Sequence, residues 1–346
     1  MVRDVRKILF VELLGGIGDI LIALPAIQAL GRSHPEAELT VLTLPLSGEL
    51  LESDPLIHQV IYADSGKARK SVEVLLAEQT FDLIVSDTNY DGIDEVIQSR
   101  AACQSVTNLW RLPPTDERVG DRFLQILLTE GLIELDVIQP PQLHLTPSEQ
   151  RHAQQLHRLV CRPLICLCPD TGMQIKRWPK ANFVTLGQTL QQRYNATVIV
   201  PVGSDLELSA GIAAAIGGSA GILPRGKLRD LAATLACTDL VVAADTGSAR
   251  IAAAVGVPTI TLFGPSWHER YGQPLPHLNL QGYPECPERI IRNFTEQRCW
   301  YAGVCPLEQN WQTCMEAISP AEVLAAVKQV LTKDSEERSR RCSAKE

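Results

Sequence analysis

Residues 10–25 read FVELLGGIGDILIALP: an apolar run stops at Gly15 and Gly16, a third glycine follows at Gly18, and a single carboxylate, Asp19, heads a second apolar run. A short apolar run, a glycine break and a longer apolar run make the pattern of a buried strand that turns directly into a helix. Glycine has no Cβ, so its backbone can approach a ligand closely, and the first amides of a helix attract anions. The stretch therefore predicts an α/β fold whose first strand carries a ligand turn at its end. Asp19 keeps two readings at this level: a carboxylate capping the helix start, or a general base at the lip of a cleft.

The same alternation continues outward. Strands are expected at Lys7–Val11, Glu38–Thr43, Gln59–Tyr62, 82–86 and 103–107, with helices between them, notably at 19–32 and 118–129. The proline-rich DVIQPPQLHLTPSEQ at 136–150 reads as a linker. After it come strands at Leu164–Cys168, Thr197–Pro201, 240–243 and Thr259–Phe263, with helices at 180–193, 205–216, 228–236 and 246–255. A final helix is expected at 320–332 and a disordered charged tail after it. The domain expectation is 1–150, then 151–318, a terminal helix at 319–333 and a tail at 334–346.

With 346 residues, the chain exceeds the size at which single cores stop growing, roughly 250 to 300 residues. At 45% hydrophobic and 21% charged, its composition is that of a globular protein, and no apolar run reaches the roughly 18 to 20 residues of a membrane span. The N-terminal run contains Glu12 and no small-residue cleavage site, so a cytoplasmic location is expected. Ten cysteines in such a chain are expected as reduced thiols. Residues 1–150 hold 11 Lys and Arg against 23 Asp and Glu, and the remainder holds 21 against 17. An acidic first half makes a poor nucleic-acid surface, whereas a mildly basic second half suits a phosphorylated small molecule.

Two further clusters stand at predicted strand ends. In CPDTGMQIKRWPKANF (168–183), Thr171, Lys176 and Arg177 fall on a loop where α/β proteins bind ligands, although Lys-Arg-Trp-Pro also reads as a solvated loop pinned by Trp178. In VVAADTGSARIAAAVGVPTITLFGPS (241–266), the Asp-Thr-Gly-Ser turn at 245–248 puts hydroxyls and amides at a helix start, where Asp245 and Thr246 also read as simple caps. A dinucleotide fingerprint fails, because Gly16-x-Gly18 is followed by Leu21 instead of glycine and AELTVLTLP puts no acid at the end of the second strand. Asp91 and Asp94 fall on an expected helix and form no Asp-x-Asp pair for a divalent cation. Cys286, Cys299, Cys305 and Cys314 lie within one late stretch without a Cys-x2-Cys pair, so ordinary thiols are preferred over a structural metal site.

Taken in order, these clusters resemble the bacterial heptosyltransferases of glycosyltransferase family 9, through GGIGDILIALPAIQALGRSHPEAELTVLT, KRWP, GKLRDLAATLACTDLVVAADTGSARIAAAVGVPTITLFGPS and the closing SPAEVLAAVKQVL. The resemblance implies a GT-B architecture, two Rossmann-like domains whose parallel sheets face a central cleft, with the acceptor on the N-terminal side and the sugar nucleotide on the C-terminal side. It implies an inverting transferase without a cofactor, moving a sugar from an ADP-heptose-like donor onto a glycan or lipopolysaccharide-type acceptor, in the cytoplasm with peripheral contact to the inner membrane face. By the same resemblance Asp19 is the base on the glycine turn of Gly15, Gly16 and Gly18, and Lys176 contacts donor phosphate. Thr171, Glu207, Asp245, Thr246 and Gly247 surround the donor, with Ser248 in the same turn. One position departs from the family: a histidine is common five places after the loop aspartate, and this chain has Arg250. Two other readings stay open here, a noncatalytic sugar-nucleotide binding protein and a nicotinamide-dependent oxidoreductase.

Overall fold

The computed structural model describes residues 5–100, 103–110, 117–159, 163–290, 298–307 and 313–343, and the chain divides into two compact units, Met1–Thr146 and Pro147–Glu346.

The first unit is built on five parallel strands: β1 (Lys7–Val11), β2 (Glu38–Thr43), β3 (Gln59–Tyr62), β4 (Leu83–Ser86) and β5 (Gln104–Val106), in the order β3-β2-β1-β4-β5. β1 and β4 are almost wholly apolar and buried, as strands covered by helices on both faces must be. Ile8 of β1 faces Leu39 on one side and Leu83 on the other. The helix Ile17–Ser33 buries Ile20 to Leu24 and Ala26 to Gly31. Each large aliphatic side chain among them contributes roughly 1.5–3 kcal/mol on burial. A Cβ on Gly31 would lie 2.9 Å from the Leu56 Cβ, so any larger residue there would push the helix off its neighbour.

The second unit has six parallel strands: β6 (Leu164–Cys168), β7 (Thr197–Pro201), β8 (Ala220–Leu223), β9 (Leu240–Ala244), β10 (Thr259–Phe263) and β11 (Leu278–Gln281), in the order β11-β10-β9-β6-β7-β8. Its core joins Ile165, Leu167, Phe183, Leu186, Val242 and Leu262 to Val323 and Val327 of the helix Pro320–Ser343. Trp178 is buried edge-on against Phe183, 4.9 Å between ring centroids, and its indole N–H donates to Ile318 O at 2.8 Å. The Lys-Arg-Trp-Pro loop is thus nailed to the core by its tryptophan.

Four elements differ from the sequence reading. The helix Pro147–Leu159 begins inside the stretch read as linker. β8 and β11 were not expected; each is four residues long, half exposed and at a sheet edge, where little apolar patterning is needed. The tail expected to be disordered from 334 continues the last helix to Ser343, in keeping with the strong helix propensity of its Lys, Glu and Arg residues. Residues 344–346 lie outside the described residues. Among the described residues, no helix is long and apolar enough to cross a membrane.

Candidate active site

In each sheet the chain reverses its direction of winding beside the first strand of the unit, between β1 and β4 in one and between β6 and β9 in the other. Loops leaving the carboxyl ends of two such strands diverge to opposite faces and open a crevice, the usual ligand site of an open α/β sheet. The glycine turn leaves β1, and the 245–248 turn leaves β9.

At the first switch point, Gly15 has φ +92°, a conformation that a side chain would strain. Gly16 caps the helix, so Asp19 is its third residue; the cap reading of Asp19 is corrected by that placement. The Asp19 carboxylate lies folded over Gly16, where a Cβ would collide with its Oδ2. Beside it are two acids that sequence reasoning did not assign to the site, Glu12 and Asp87, each 0% exposed. Glu12 Oε1 accepts from the Leu14 N–H at 3.0 Å, and its Oε2 accepts from the Thr43 hydroxyl at 2.9 Å. The Thr88 hydroxyl donates to Asp87 Oδ1 at 3.0 Å and accepts from the Leu13 N–H at 2.8 Å, while Tyr90 donates to Leu13 O at 2.7 Å. Burial pushes the Glu12 carboxyl up to about 7; the Thr43 hydroxyl opposes this and the Asp19 charge adds to it. Asp87 is raised well above the usual carboxylate range by burial first, then by Glu12, against a lowering hydrogen bond from Thr88. The available signal was Glu12 itself, an acid at the end of an otherwise apolar strand.

The second switch point carries the same triplet twice. Asp170-Thr171-Gly172 follows β6 and Asp245-Thr246-Gly247 follows β9, strands paired at Cys168 and Ala243. Lys176, on the short turn Gln174–Lys176, reaches across so that its Nζ lies 2.9 Å from Asp245 Oδ2. Ser266 donates to the same oxygen at 2.7 Å, and an Arg250 guanidinium nitrogen stands 3.6 Å from Oδ1 while donating to Tyr271 O at 2.7 Å. Burial alone would raise the Asp245 carboxyl, but the charges of Lys176 and Arg250, with hydrogen bonds from Lys176 and Ser266, overcome it and hold the group below its ordinary value. Thr246 caps the helix Gly247–Ala254, and its buried hydroxyl has no hydrogen-bond partner among the described residues. Gly247, Ser248 and Arg250 all lie in the first four positions of that helix.

Thr171 is buried, its hydroxyl donating to Met173 O at 2.5 Å, so it shapes its own loop. Asp170, also unassigned from sequence, receives an Arg177 nitrogen at 2.9 Å and the Ser204 hydroxyl at 2.7 Å, which ties the loop after β6 to the loop after β7. Its signal was the repeated Asp-Thr-Gly. Glu207 is exposed in the first turn of the helix Leu206–Ile216, behind the cap Asp205. Lys176, Asp245 and Arg250 are thus brought into contact, with Thr246, Gly247 and Ser248 in the adjoining turn.

Cys286, Cys299, Cys305 and Cys314 line one pocket with Arg289, all four as thiols without disulfides. Among the described residues, no group of three or more His, Cys, Asp or Glu is arranged to hold a metal ion. Cys166 and Cys168 are buried in β6, their sulfurs 3.6 Å apart.

The profile of glycosyltransferase family 9 (heptosyltransferase) matches residues 101–283. Lipopolysaccharide heptosyltransferase 3 of Escherichia coli is 25% identical over 345 residues, covering 91% of this chain and 96% of that protein. Among solved structures, the glycosyl transferase family 9 protein from Veillonella parvula DSM 2008 aligns with a TM-score of 0.76 at 18% identity, covering 95% of this chain and 98% of that one. The E. coli ADP-heptose lps heptosyltransferase II aligns with a TM-score of 0.71 at 19% identity, covering 95% and 99%. At such identities, the structural likenesses establish a common fold.

Proposed function

Because the chain belongs to glycosyltransferase family 9 (heptosyltransferase), it is a glycosyltransferase with the two parallel-sheet domains of the GT-B architecture, and we propose that it moves a heptose from an ADP-heptose-like donor onto a lipopolysaccharide-type glycan, with inversion and without a metal ion. The membership sets the oxidoreductase reading aside. The names of the relatives support the choice of donor and acceptor.

The observation that carries the donor reading is the group at the β6–β9 switch, where two cations lie 2.9 and 3.6 Å from one carboxylate beside a helix N-terminus. Two positive charges against one negative leave a surplus for a diphosphate, and the first amides of the helix add to it. The leaving nucleoside diphosphate gains negative charge as the glycosidic bond breaks, so Lys176 and Arg250 can stabilise the transition state more than the ground state. They supply the positive charge that a divalent cation would otherwise bring. The unpartnered Thr246 hydroxyl offers a further hydrogen bond to the donor.

In the first unit, Asp19 takes the proton of the acceptor hydroxyl as its oxygen attacks the anomeric carbon. An acceptor carried on a lipid would bring the enzyme to the inner membrane face. The noncatalytic alternative predicts donor binding without acceptor-dependent turnover.

Calorimetric titration of ADP, GDP and UDP, in EDTA, into wild type and Arg250→Ala tests the donor site. ADP should bind most tightly, and Arg250→Ala should weaken it by roughly 1.5–3 kcal/mol, the range for hydrogen bonds to charged groups. Equal ADP affinity in the two proteins would remove Arg250 from the site, and loss of binding in EDTA would contradict the metal-free reading.

A further inference from the structure

Glu12 is the last acid before the glycine turn, and both of its oxygens are engaged. One receives the N–H of Leu14, the residue before Gly15; the other receives the hydroxyl of Thr43, the last residue of β2. The Glu12 side chain therefore ties the entrance of the turn to a neighbouring strand. From the β4 side, Thr88 and Tyr90 hold the N–H and C=O of Leu13. At its exit the turn passes through Gly16, over which the Asp19 carboxylate is folded. The path from Glu12 to Asp19 is thus pinned at its start and packed against its own carboxylate at its end.

Three carboxyl groups share this place. Asp19 on the helix Ile17–Ser33 and Asp87 after β4 both interact electrostatically with Glu12, and Tyr90 lies within reach of the charges of Glu12, Asp91 and Asp87. Asp87 Oδ2 has no hydrogen-bond partner among the described residues, although the Trp110 indole stands near it. Burial at 0% exposure and the neighbouring acid Asp19 favour the proton on Glu12 over the charge, and they outweigh the hydroxyl and amide donors, which favour the anion.

We propose that Glu12 is a positioning residue for Asp19: its side chain fixes the glycine turn that presents the base, and its proton sets the charge beside that base. This rests on the reading of Asp19 as the base. While Glu12 is protonated, it adds no charge beside Asp19. When Glu12 ionises near pH 7, the second negative charge raises the proton affinity of Asp19 and makes it a stronger base. Turnover should therefore step upward with pH around 7, by roughly three- to tenfold for a like-charge shift of one to two pKa units in a partial proton transfer.

The test is the pH profile of kcat from 5.5 to 8.5, at saturating donor and acceptor, for wild type, Glu12→Gln, Thr43→Val and Asp19→Asn, with thermal midpoints and ADP affinities on each. Wild type should show the step. Glu12→Gln, which keeps the amide and hydroxyl contacts but cannot ionise, should bind ADP normally with an unchanged acceptor KM and stay on the low plateau throughout. Thr43→Val removes the hydroxyl that favours the Glu12 anion, so its step should move to higher pH; this variant also serves should Glu12→Gln fail to fold. A Glu12→Gln profile identical to wild type, or a step unmoved in Thr43→Val, overturns the proposal while leaving Asp19 in place if Asp19→Asn is inactive. Full activity of Asp19→Asn would instead remove the base, and the positioning role with it.

Discussion

Glu12 and Asp245 both stand at the carboxyl end of a central strand, and their surroundings push them in opposite directions. Burial, with the charge of Asp19, pushes the Glu12 carboxyl from 4.5 to about 7 against the lowering hydrogen bonds of the Thr43 hydroxyl and the turn amides. Asp245 is also buried, but Lys176 and Arg250 hold it below its ordinary value. The folded protein therefore binds the Glu12 proton more tightly than the unfolded chain does. Stability from this group is complete below about pH 4.5 and is lost as pH rises through 7; for Asp245 it is present above the unfolded value and lost as pH falls. Glu12→Gln cannot carry the charge, so at pH 8 it should be more stable than wild type by on the order of 3 kcal/mol, an advantage that shrinks towards pH 5. Urea unfolding at the two pH values checks this, and an equal difference at both would show that Glu12 is not a buried acid with a raised pKa.

At the scale of elements, the glycine turn and the helix Ile17–Ser33 act as one device. Gly16 has φ −87°, which alanine also adopts, so Gly16→Ala would disturb the folded-over Asp19 carboxylate more than the backbone. Gly16→Ala should keep ADP affinity while lowering turnover on the order of 10- to 100-fold, the effect of a small displacement of a catalytic group. Wild-type turnover in that variant would separate the Asp19 position from the chemistry. The same turn shows how much could be read before the structure. FVELLGGIGD announced strand, turn and helix through apolar periodicity and glycine, and Asp170, Lys176 and Asp245 lay in stretches already marked as ligand loops. What periodicity could not show was which strands become neighbours. β4 begins 72 residues after Val11, so the meeting of Glu12 with Asp87 and the Lys176–Asp245 contact depend on strand order, not on local pattern. The edge strands β8 and β11 escaped for the opposite reason, since half-exposed segments of four residues carry almost no pattern.

At the scale of the whole molecule, the two units repeat one solution. Each reverses its winding beside its first strand and gathers charged side chains there: buried carboxyl groups in the first unit, and Lys176 and Arg250 around Asp245 in the second. The charge count follows the division, with 11 Lys and Arg against 23 Asp and Glu over residues 1–150 and 21 against 17 over the rest. A proton acceptor suits the first composition and a diphosphate site the second. We propose that Asp19 of the first unit and the donor site of the second serve one transfer reaction. Release of ADP from ADP-heptose, with and without a lipopolysaccharide core acceptor and in the presence of EDTA, tests it most directly when wild type and Asp19→Asn are run side by side. Wild type should release ADP in an acceptor-dependent manner, and Asp19→Asn should bind ADP equally well yet release it about 10²-fold more slowly or worse, the scale of lost general-base catalysis. Equal rates in the two proteins would remove Asp19 as the base, and ADP release indifferent to the acceptor would rule out the transfer reaction.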